Sequence, residues 1–173
     1  MKLRVVAVLL LLGASTLGTS TVAASTSANA KGSEGYYRTG FEVLAGFPFE
    51  PPEPDPAKPG TPPPSAADQI PPAVKALDGR KIVVSGYMMP LKMDKGLVTE
   101  LLLMANSQLC CYGAVPKLNE FIYIKMTGEG VKHTADIPVE FYGRMTVKEV
   151  FEEGFLQQIY TLAGDKMGKA AVE

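Results

Sequence analysis

The sequence predicts a mainly β protein: a small five-stranded antiparallel OB-like barrel, preceded by a signal peptide and a proline-rich linker. The second half of the chain contains five apolar runs that are rich in β-branched and aromatic residues and are bounded by turn residues, as strands are. Residues 137–147 alternate between apolar and other side chains, which is the period of a half-buried strand. Five short strands with few helical stretches fit a small antiparallel barrel or sandwich, and an OB-like barrel has five strands.

Composition excludes several classes of protein. The chain has 173 residues, which favours a single domain, and 46% of them are hydrophobic, enough to form a core. Its 17 basic and 18 acidic side chains give a net charge of −1, so it lacks the basic patch that nucleic-acid binding requires. Two cysteines cannot build the framework of a disulfide-rich mini-protein.

Residues 1–30 are predicted to be a signal peptide. Lys2 and Arg4 precede an apolar run at residues 5–12, and the segment ends in the small-x-small pattern Ala28-Asn29-Ala30. An uncleaved membrane anchor is the alternative, but the apolar run is far shorter than the roughly 20 residues that span a bilayer. We therefore expect an exported protein, periplasmic or extracellular after cleavage near Ala30, without a transmembrane helix in the mature chain.

Between this segment and the domain, the sequence predicts two further regions. Residues 31–47 form a short apolar N-terminal segment, which we expect to dock on the domain as a short strand or helix. Residues 48–70 contain most of the prolines and predict a linker in extended polyproline II conformation, either a semi-rigid spacer or a proline-rich ligand for a partner.

The β-rich OB-like domain is expected over residues 71–168, followed by a polar tail at 169–173. Strands are predicted at residues 82–89, ending at Pro90, and at 97–104, 121–126, 137–147 and 155–162. Residues 148–153 are expected to form a helical turn that ends at Gly154, and the chain becomes polar from Gly164.

The most unusual local feature is the adjacent pair Cys110 and Cys111 between two predicted strands. Adjacent Cα atoms lie about 3.8 Å apart, below the range of about 4.4–6.8 Å that disulfides prefer. A bridge between these two residues would therefore be strained and readily reduced. Four interpretations stay open: buried thiols that pack as small hydrophobes, a soft-metal site, a vicinal disulfide, and an intermolecular bridge.

Copper or zinc is the cofactor that the metal hypothesis would require, because thiolates suit both metals. Tyr112, Asn119 or the thioether of Met104 could complete such a site, although core packing explains methionines equally well. The single histidine, His133, lies in a predicted polar hairpin. The motifs of serine hydrolases, HExxH metalloproteases and phosphate-binding loops are missing from the sequence, so no catalytic residue is predicted.

A series of motifs between residues 69 and 143 resembles one family. They lie at residues 69–72, 75–81, 85–91, 99–104, 110–113, 116–117, 119–120 and 139–143. In this order and spacing they resemble the secreted bacterial proteins grouped as domain of unknown function 3299, over about residues 70–168. The resemblance implies an exported β-rich domain without an established activity.

The resemblance also bears on the cysteine segment. Many relatives have a cysteine, one residue, a histidine, a proline run and an asparagine in this stretch. Cys110 matches the family cysteine and Asn119 the asparagine, whereas Tyr112 stands in place of the histidine and Cys111 is additional. This departure weakens the hypothesis that the Cys-x-His metal site of the relatives is present here. Some relatives are linked to exporter-type transport or metal handling, which favours a metal site.

From these observations we expect a non-enzymatic accessory domain that binds a small ligand, a metal ion or a periplasmic protein partner, with a link to transport and no role in nucleic-acid binding. A periplasmic soft-metal trafficking protein and a thiol-redox protein are the alternatives. The candidate site residues are Cys110, Cys111, Tyr112, Asn119 and Met104.

Overall fold

A computed structural model describes residues 35–61, 63–107 and 116–170 of the chain. These residues are mainly β and form one mixed sheet of six strands with short helices beside it. The strands are β1 Tyr37–Arg38, β2 Lys81–Asp94, β3 Leu97–Met104, β4 Phe121–Met126, β5 Val139–Glu152 and β6 Phe155–Lys169. The helices are α1 Phe41–Leu44 and α2 Pro72–Lys75, with a 3₁₀ turn at Ala67–Gln69.

The strand order is β1-β2-β3-β4-β6-β5, and β2 pairs with β5 as well. This second pairing is possible because β2 is long: its residues 81–86 pair with β5 and its residues 87–94 pair with β3. The pairings of β2 to β6 therefore form a closed ring. The expectation of a purely antiparallel five-stranded sheet is wrong, because β1 pairs with β2 and β4 with β6 in parallel.

The strands β3 and β4 have the predicted bounds, whereas β2 does not end at Pro90. It continues to Asp94 through a register shift between Pro90 and Lys92. Proline lacks the N–H that a regular ladder requires, and bulges are among the places where a strand tolerates it. The residue taken as the end of the strand therefore marks an irregularity within it.

The predicted helical turn at residues 148–153 is also wrong, because β5 continues to Glu152 and β6 begins at Phe155. The two residues between them, Glu153 and Gly154, have φ angles of 52° and 85°. Two consecutive positive φ angles are typical of the tight hairpin turn that suits the twist of antiparallel strands. Register shifts between Val147 and Phe151 interrupt the alternation that would have indicated the strand.

Gly164 lies within β6, not at the start of a polar tail. It pairs with Gly143 of β5 at another register shift, next to Tyr142. A Cβ atom at Gly143 would collide with the carbonyl oxygen of Ala163 on β6. This close approach of two strands explains why glycine is required where a side chain was expected to face the core.

The alternation predicted for β5 is confirmed over most of its length. Val139, Phe141 and Met145 are buried on the inner face, whereas Ile137 precedes the strand and is 57% exposed. Glu140, on the opposite face, is buried as well. Other fully buried core side chains come from every long strand and from the N-terminal segment, and they include Leu44, Ile82, Val84, Val98, Leu101, Leu103, Ile122, Ile124, Ile159, Tyr160 and Leu162.

The apolar N-terminal segment packs on the sheet. Its strand β1 pairs with β2 at Ile82 and Val83, and Leu44 and Phe49 are 0% and 1% exposed. The hydroxyl of Tyr160 on β6 donates a hydrogen bond to the carbonyl of Leu44 at 2.9 Å. The amide of Asn119, just before β4, donates one to the carbonyl of Phe47 at 2.8 Å. The segment thus connects the beginning of β4 to β6.

The proline-rich range is packed at both ends. Ala66 and Ile70 are buried, and the amide of Gln69 exchanges two hydrogen bonds with the backbone of Glu50, at 2.9 and 3.0 Å. Most of residues 51–61 is exposed. The described part of this range is therefore a loop that is closed at its base by polar contacts.

Within the described ranges, no helix has the length and apolar composition needed to cross a membrane. The predicted signal peptide and the end of the polar tail, residues 171–173, lie outside the described residues.

Candidate functional site

The structure describes two of the five residues predicted to form the site. Cys110, Cys111 and Tyr112 lie outside the described residues. Met104 ends β3, pairs with Tyr87 and Phe121, and is 3% exposed. Asn119 lies two residues before β4 and is 2% exposed. Backbone pairing thus brings Met104 and Asn119 to the same end of the β3–β4 ladder.

Both side chains have structural roles. Met104 packs as a buried apolar residue, and the amide nitrogen of Asn119 holds the N-terminal segment through Phe47. The side-chain oxygen of Asn119 is buried without a hydrogen-bond partner among the described residues. His133 is exposed, and in the described part of the chain no three His, Cys, Asp or Glu side chains form a group that could hold a metal ion.

A cleft of about 440 Å³ lies where β4 and β6 separate, and we call it the β4–β6 cleft. Its volume falls within the range of known small-ligand sites. Strands β2, β3 and β4 supply one wall, and the β5–β6 hairpin supplies the other. The lining side chains are Leu91, Leu102, Phe121, Tyr123, Glu152, Gln157 and Gln158.

The cleft exists because β4 and β6 pair over only four residues of each strand, from Tyr123 with Thr161 to Met126 with Gly164. Before these positions β4 pairs only with β3, and β6 only with β5. Side chains alternate across a strand, so Leu102 points outward between the fully buried Leu101 and Leu103. Leu102 pairs with Tyr123, which puts both on the outer face that forms the wall.

Tyr123 is the best-connected polar group of this wall. Its hydroxyl donates a hydrogen bond of 2.6 Å to Glu100, whose carboxylate also lies 3.6 Å from the ammonium of Lys92 and 3.8 Å from that of Lys125. The hydrogen bond from Tyr123, followed by the two lysines, lowers the pKa of Glu100. Burial, followed by the hydrogen bond to Glu100 and the charges of Glu100 and Glu152, raises the pKa of Tyr123 to about 12. Tyr123 is therefore a neutral donor at neutral pH.

The hairpin wall has polar groups without protein partners. The side chains of Glu152 and Gln157 are exposed and make no hydrogen bond or ion pair with any other described residue. Gln158 makes only a long contact of 3.4 Å with the hydroxyl of Thr161. One carboxylate and one amide in this wall are thus available to a ligand.

Exposed apolar side chains surround these polar groups. Leu91 lines the cleft and is 51% exposed, and Met93 follows it on β2 with 53% exposure. Phe155 on the hairpin is 56% exposed and pairs with Glu152, so both side chains point to the same side. The cleft therefore has apolar contact surface on the wall of β2, β3 and β4, and Phe155 adds an exposed apolar side chain on the hairpin beside the other wall.

A second polar cluster lies around Glu140, which is 4% exposed. Its carboxylate accepts hydrogen bonds of 2.7 Å from Arg38 on β1 and from the hydroxyl of Tyr142. The hydrogen bond to Glu140 is the largest cause that raises the pKa of Arg38, and also the largest that raises the pKa of Tyr142. Tyr36 meets the ring of Tyr142 edge-on at 5.3 Å. This cluster fastens the N-terminal segment to β5, so we assign it a structural role.

Sequence reasoning did not find the residues of the cleft. The apolar run around Leu102 predicts a strand buried on both faces, which hides the one outward leucine. The sequence predicts a helical turn at Glu152 and a strand at Gln157, and does not indicate that they meet β4. Their meeting depends on the pairing of β4 with β6, which no local pattern indicates.

The described residues thus define a mainly β domain with a mixed sheet and an exposed cleft, and comparison with known proteins places it in a family. Residues 60–169 match the family described as "Protein of unknown function (DUF3299)". The chain belongs to this family, which confirms the resemblance seen in the sequence.

One solved structure shares the fold. The crystal structure of a DUF3299 family protein from Pseudomonas aeruginosa PAO1 is 26% identical, with a TM-score of 0.52 over 80% of this chain and 98% of that chain. No curated protein matches the sequence. The family description and the name of the solved protein give no activity, so function has to be argued from the cleft itself.

The raised pKa of Tyr123 predicts how stability depends on pH. The unfolded chain deprotonates this tyrosine near pH 10, while the folded chain keeps it protonated up to about pH 12. Its contribution to stability is therefore complete below pH 10 and is lost as the pH rises from 10 through 12. Between pH 9 and 11, the free energy of unfolding in urea should fall more steeply for the wild type than for Tyr123→Phe.

Glu100→Gln provides the second arm of this test, because it removes the charge that faces the phenol. The phenol of Tyr123, followed by ¹³C NMR, should then titrate below its wild-type value yet above 10, since burial is unchanged. Glu129→Gln, at an exposed turn, should leave the titration unaltered. Half-deprotonation of wild-type Tyr123 at pH 10 would contradict the geometry described here.

Proposed function

We propose that this protein is an exported, non-enzymatic binding domain of OB-like barrel architecture, whose ligand occupies the β4–β6 cleft. The observation that carries the proposal is the cleft itself: a space of about 440 Å³ with apolar side chains on the wall of β2, β3 and β4 and with unpartnered amide and carboxylate groups on the hairpin wall. Ligand sites typically combine these two features.

The ring of pairings supports the OB-like part of the proposal. Counted from β2, the second and third strands of the ring are β3 and β4, and the hairpin at Glu153 and Gly154 joins the fourth to the fifth. In OB-folds the face of the second and third strands, with the loop between the fourth and fifth, is the surface that binds ligands. The cleft occupies the corresponding place, although likeness of fold is an analogy and does not define the ligand.

Export is supported by the N-terminal sequence. The basic residues Lys2 and Arg4, the short apolar run after them and the Ala28-Asn29-Ala30 pattern together are typical of a cleaved signal peptide. We therefore infer that the binding domain acts in the periplasm, on a small ligand or on a protein partner of that compartment. With no excess of basic residues, a nucleic-acid partner is disfavoured.

The soft-metal hypothesis is a second candidate function, supported by the chain connectivity. The residues that carry Cys110 and Cys111 connect β3 to β4, and both of these strands contribute side chains to the cleft. Thiolates at this position, with the thioether of Met104 at the end of β3, would suit copper(I). Reversible oxidation of the two thiols is the related redox alternative.

Solvent mapping by NMR tests the cleft without knowledge of its ligand. Small amounts of 2-propanol should shift the backbone amide signals of Leu91, Leu102 and Tyr123 more than those elsewhere, because small organic molecules collect where apolar and polar groups meet. Leu102→Lys should abolish these shifts by placing a charge on the wall. Thr146→Lys, on the exposed face of β5, is the matched control.

Two outcomes of this mapping would count against the proposal. One is a response spread evenly over the surface, and the other is a response concentrated at a different cavity, such as the one lined by Ile70, Val147 and Phe151. A response at the cleft that persists unchanged in Leu102→Lys would also contradict it.

Metal analysis tests the second candidate function. The mature protein, reduced and loaded with copper(I), should retain about one metal ion per chain after dialysis if the thiolates bind it. The double variant with Cys110→Ser and Cys111→Ser should retain none, while Met93→Leu, which alters an exposed thioether, should bind as the wild type does. Equal metal content in the wild type and the double variant would end this hypothesis.

A further inference from the structure

The β4–β6 cleft carries more information about its ligand than its shape alone. Among its lining residues, Glu152 is the only side chain that is charged at neutral pH. Tyr123, the other ionisable group, is a neutral phenol at this pH, as tyrosine ordinarily is. The lining therefore has a charge of −1 and no cation.

Neighbouring charges do not cancel this negative charge. Lys92 and Lys125 both lie against the single carboxylate of Glu100, so these three groups together leave one positive charge, which Glu153 offsets. Glu153, next to Glu152 at the tip of the hairpin, is a further exposed carboxylate that makes no hydrogen bond or ion pair with the other described residues. An unpaired carboxylate beside apolar surface is complementary to an ammonium or guanidinium group, with which it forms the stronger charge-assisted hydrogen bonds.

The polar and apolar groups have a definite order. Phe155 lies beside Glu152 on the hairpin, and Leu91 and Leu102 lie on the opposite wall. A ligand that places a cation at Glu152 would therefore have apolar groups on both sides of that cation. Gln157 has a free amide, which can donate to a carbonyl and accept from an N–H, as a peptide group requires.

We propose that the β4–β6 cleft binds an extended peptide segment of a partner protein in which a lysine or arginine stands between apolar residues. The cation pairs with Glu152, the flanking apolar side chains contact Leu102 in the cleft and Phe155 on the hairpin surface beside it, and Gln157 bonds the peptide backbone. This inference rests on the proposed function of the cleft and adds the chemical class of its ligand.

Three pentapeptides of one design test the class of ligand. Their sequence is leucine, alanine, X, leucine, alanine, with both ends blocked, where X is lysine, norleucine or glutamate. In amide NMR titrations of the mature protein, the lysine peptide should bind at least about 10-fold more tightly than the glutamate peptide, which corresponds to about 1.4 kcal/mol. The preference should shrink in 0.5 M NaCl, because the pair at Glu152 is partly exposed.

Variants assign this preference to one carboxylate. Glu152→Gln should reduce the preference for the lysine peptide over the glutamate peptide from at least about 10-fold to less than about 3-fold, while the norleucine peptide binds as before. Glu129→Gln is the matched control, because it removes the same charge at an exposed position away from the cleft and should leave the preference unchanged. Both residues are exposed, so neither variant should affect folding.

A free amine tests whether the cleft requires a peptide or binds any small cation. Butylamine offers the same ammonium group without a backbone or flanking side chains, and it should bind at least about 10-fold more weakly than the lysine peptide. Equal binding of butylamine and the peptide would overturn the peptide assignment.

The remaining outcomes distinguish this inference from the proposed function. If all three peptides shift the cleft amides equally and Glu152→Gln changes nothing, the ligand class is wrong but the cleft is still a binding site. If neither the peptides, nor butylamine, nor 2-propanol shifts those amides, both proposals fail.

Discussion

The short parallel pairing between β4 and β6 determines most of what is distinctive in this structure. Only four residues of each strand take part, and before Tyr123 and Thr161 the two strands separate. On the core side, other residues must cover the gap between the two strands, because the apolar side chains there would otherwise be exposed to water. On the outer face the gap leaves a space, which is the β4–β6 cleft.

Residues that precede the main sheet in the sequence close the inner side. Leu44 and Phe49 are almost completely buried, and the intervening chain is bound on one side by Tyr160 of β6 and on the other by Asn119 just before β4. Asn119 thus positions the N-terminal segment through its amide nitrogen. Removing the hydroxyl of Tyr160 would leave a buried carbonyl without its donor, which costs about 1–3 kcal/mol.

Local patterns predicted those parts of the fold that local forces determine. β3 and β4 have the predicted bounds because each is a continuous apolar run between turn residues, such as Lys95 and Gly96 before β3. The strands predicted for β2 and β5 end earlier than the observed strands do, because bulges near Pro90 and Val147 interrupt the alternation with a period of two. The parallel pairs could not be predicted, because the choice of partner strand depends on contacts between residues far apart in the sequence.

The same distinction applies to the site. Sequence analysis identified the unusual cysteine pair, and that pair stays a prediction because it lies outside the described residues. The cleft brings together Leu91, Leu102 and Gln157 from three strands, and none of these residues is unusual in its local sequence. The cleft is complementary to a cation because Glu152 has no partner among the described residues. A sequence alone does not show which carboxylates form ion pairs or hydrogen bonds and which do not.

Residues 36–50 are part of the folded domain, although the family match begins only at residue 60. Urea unfolding of a chain that begins at residue 35, compared with one that begins at residue 60, tests this claim most directly. Burial of Leu44 and Phe49 contributes on the order of 5 kcal/mol or more, since each large core side chain is typically worth 2–5 kcal/mol. We expect the shorter chain to lose its cooperative transition or to unfold at much lower urea. Identical midpoints and slopes for the two chains would contradict the account.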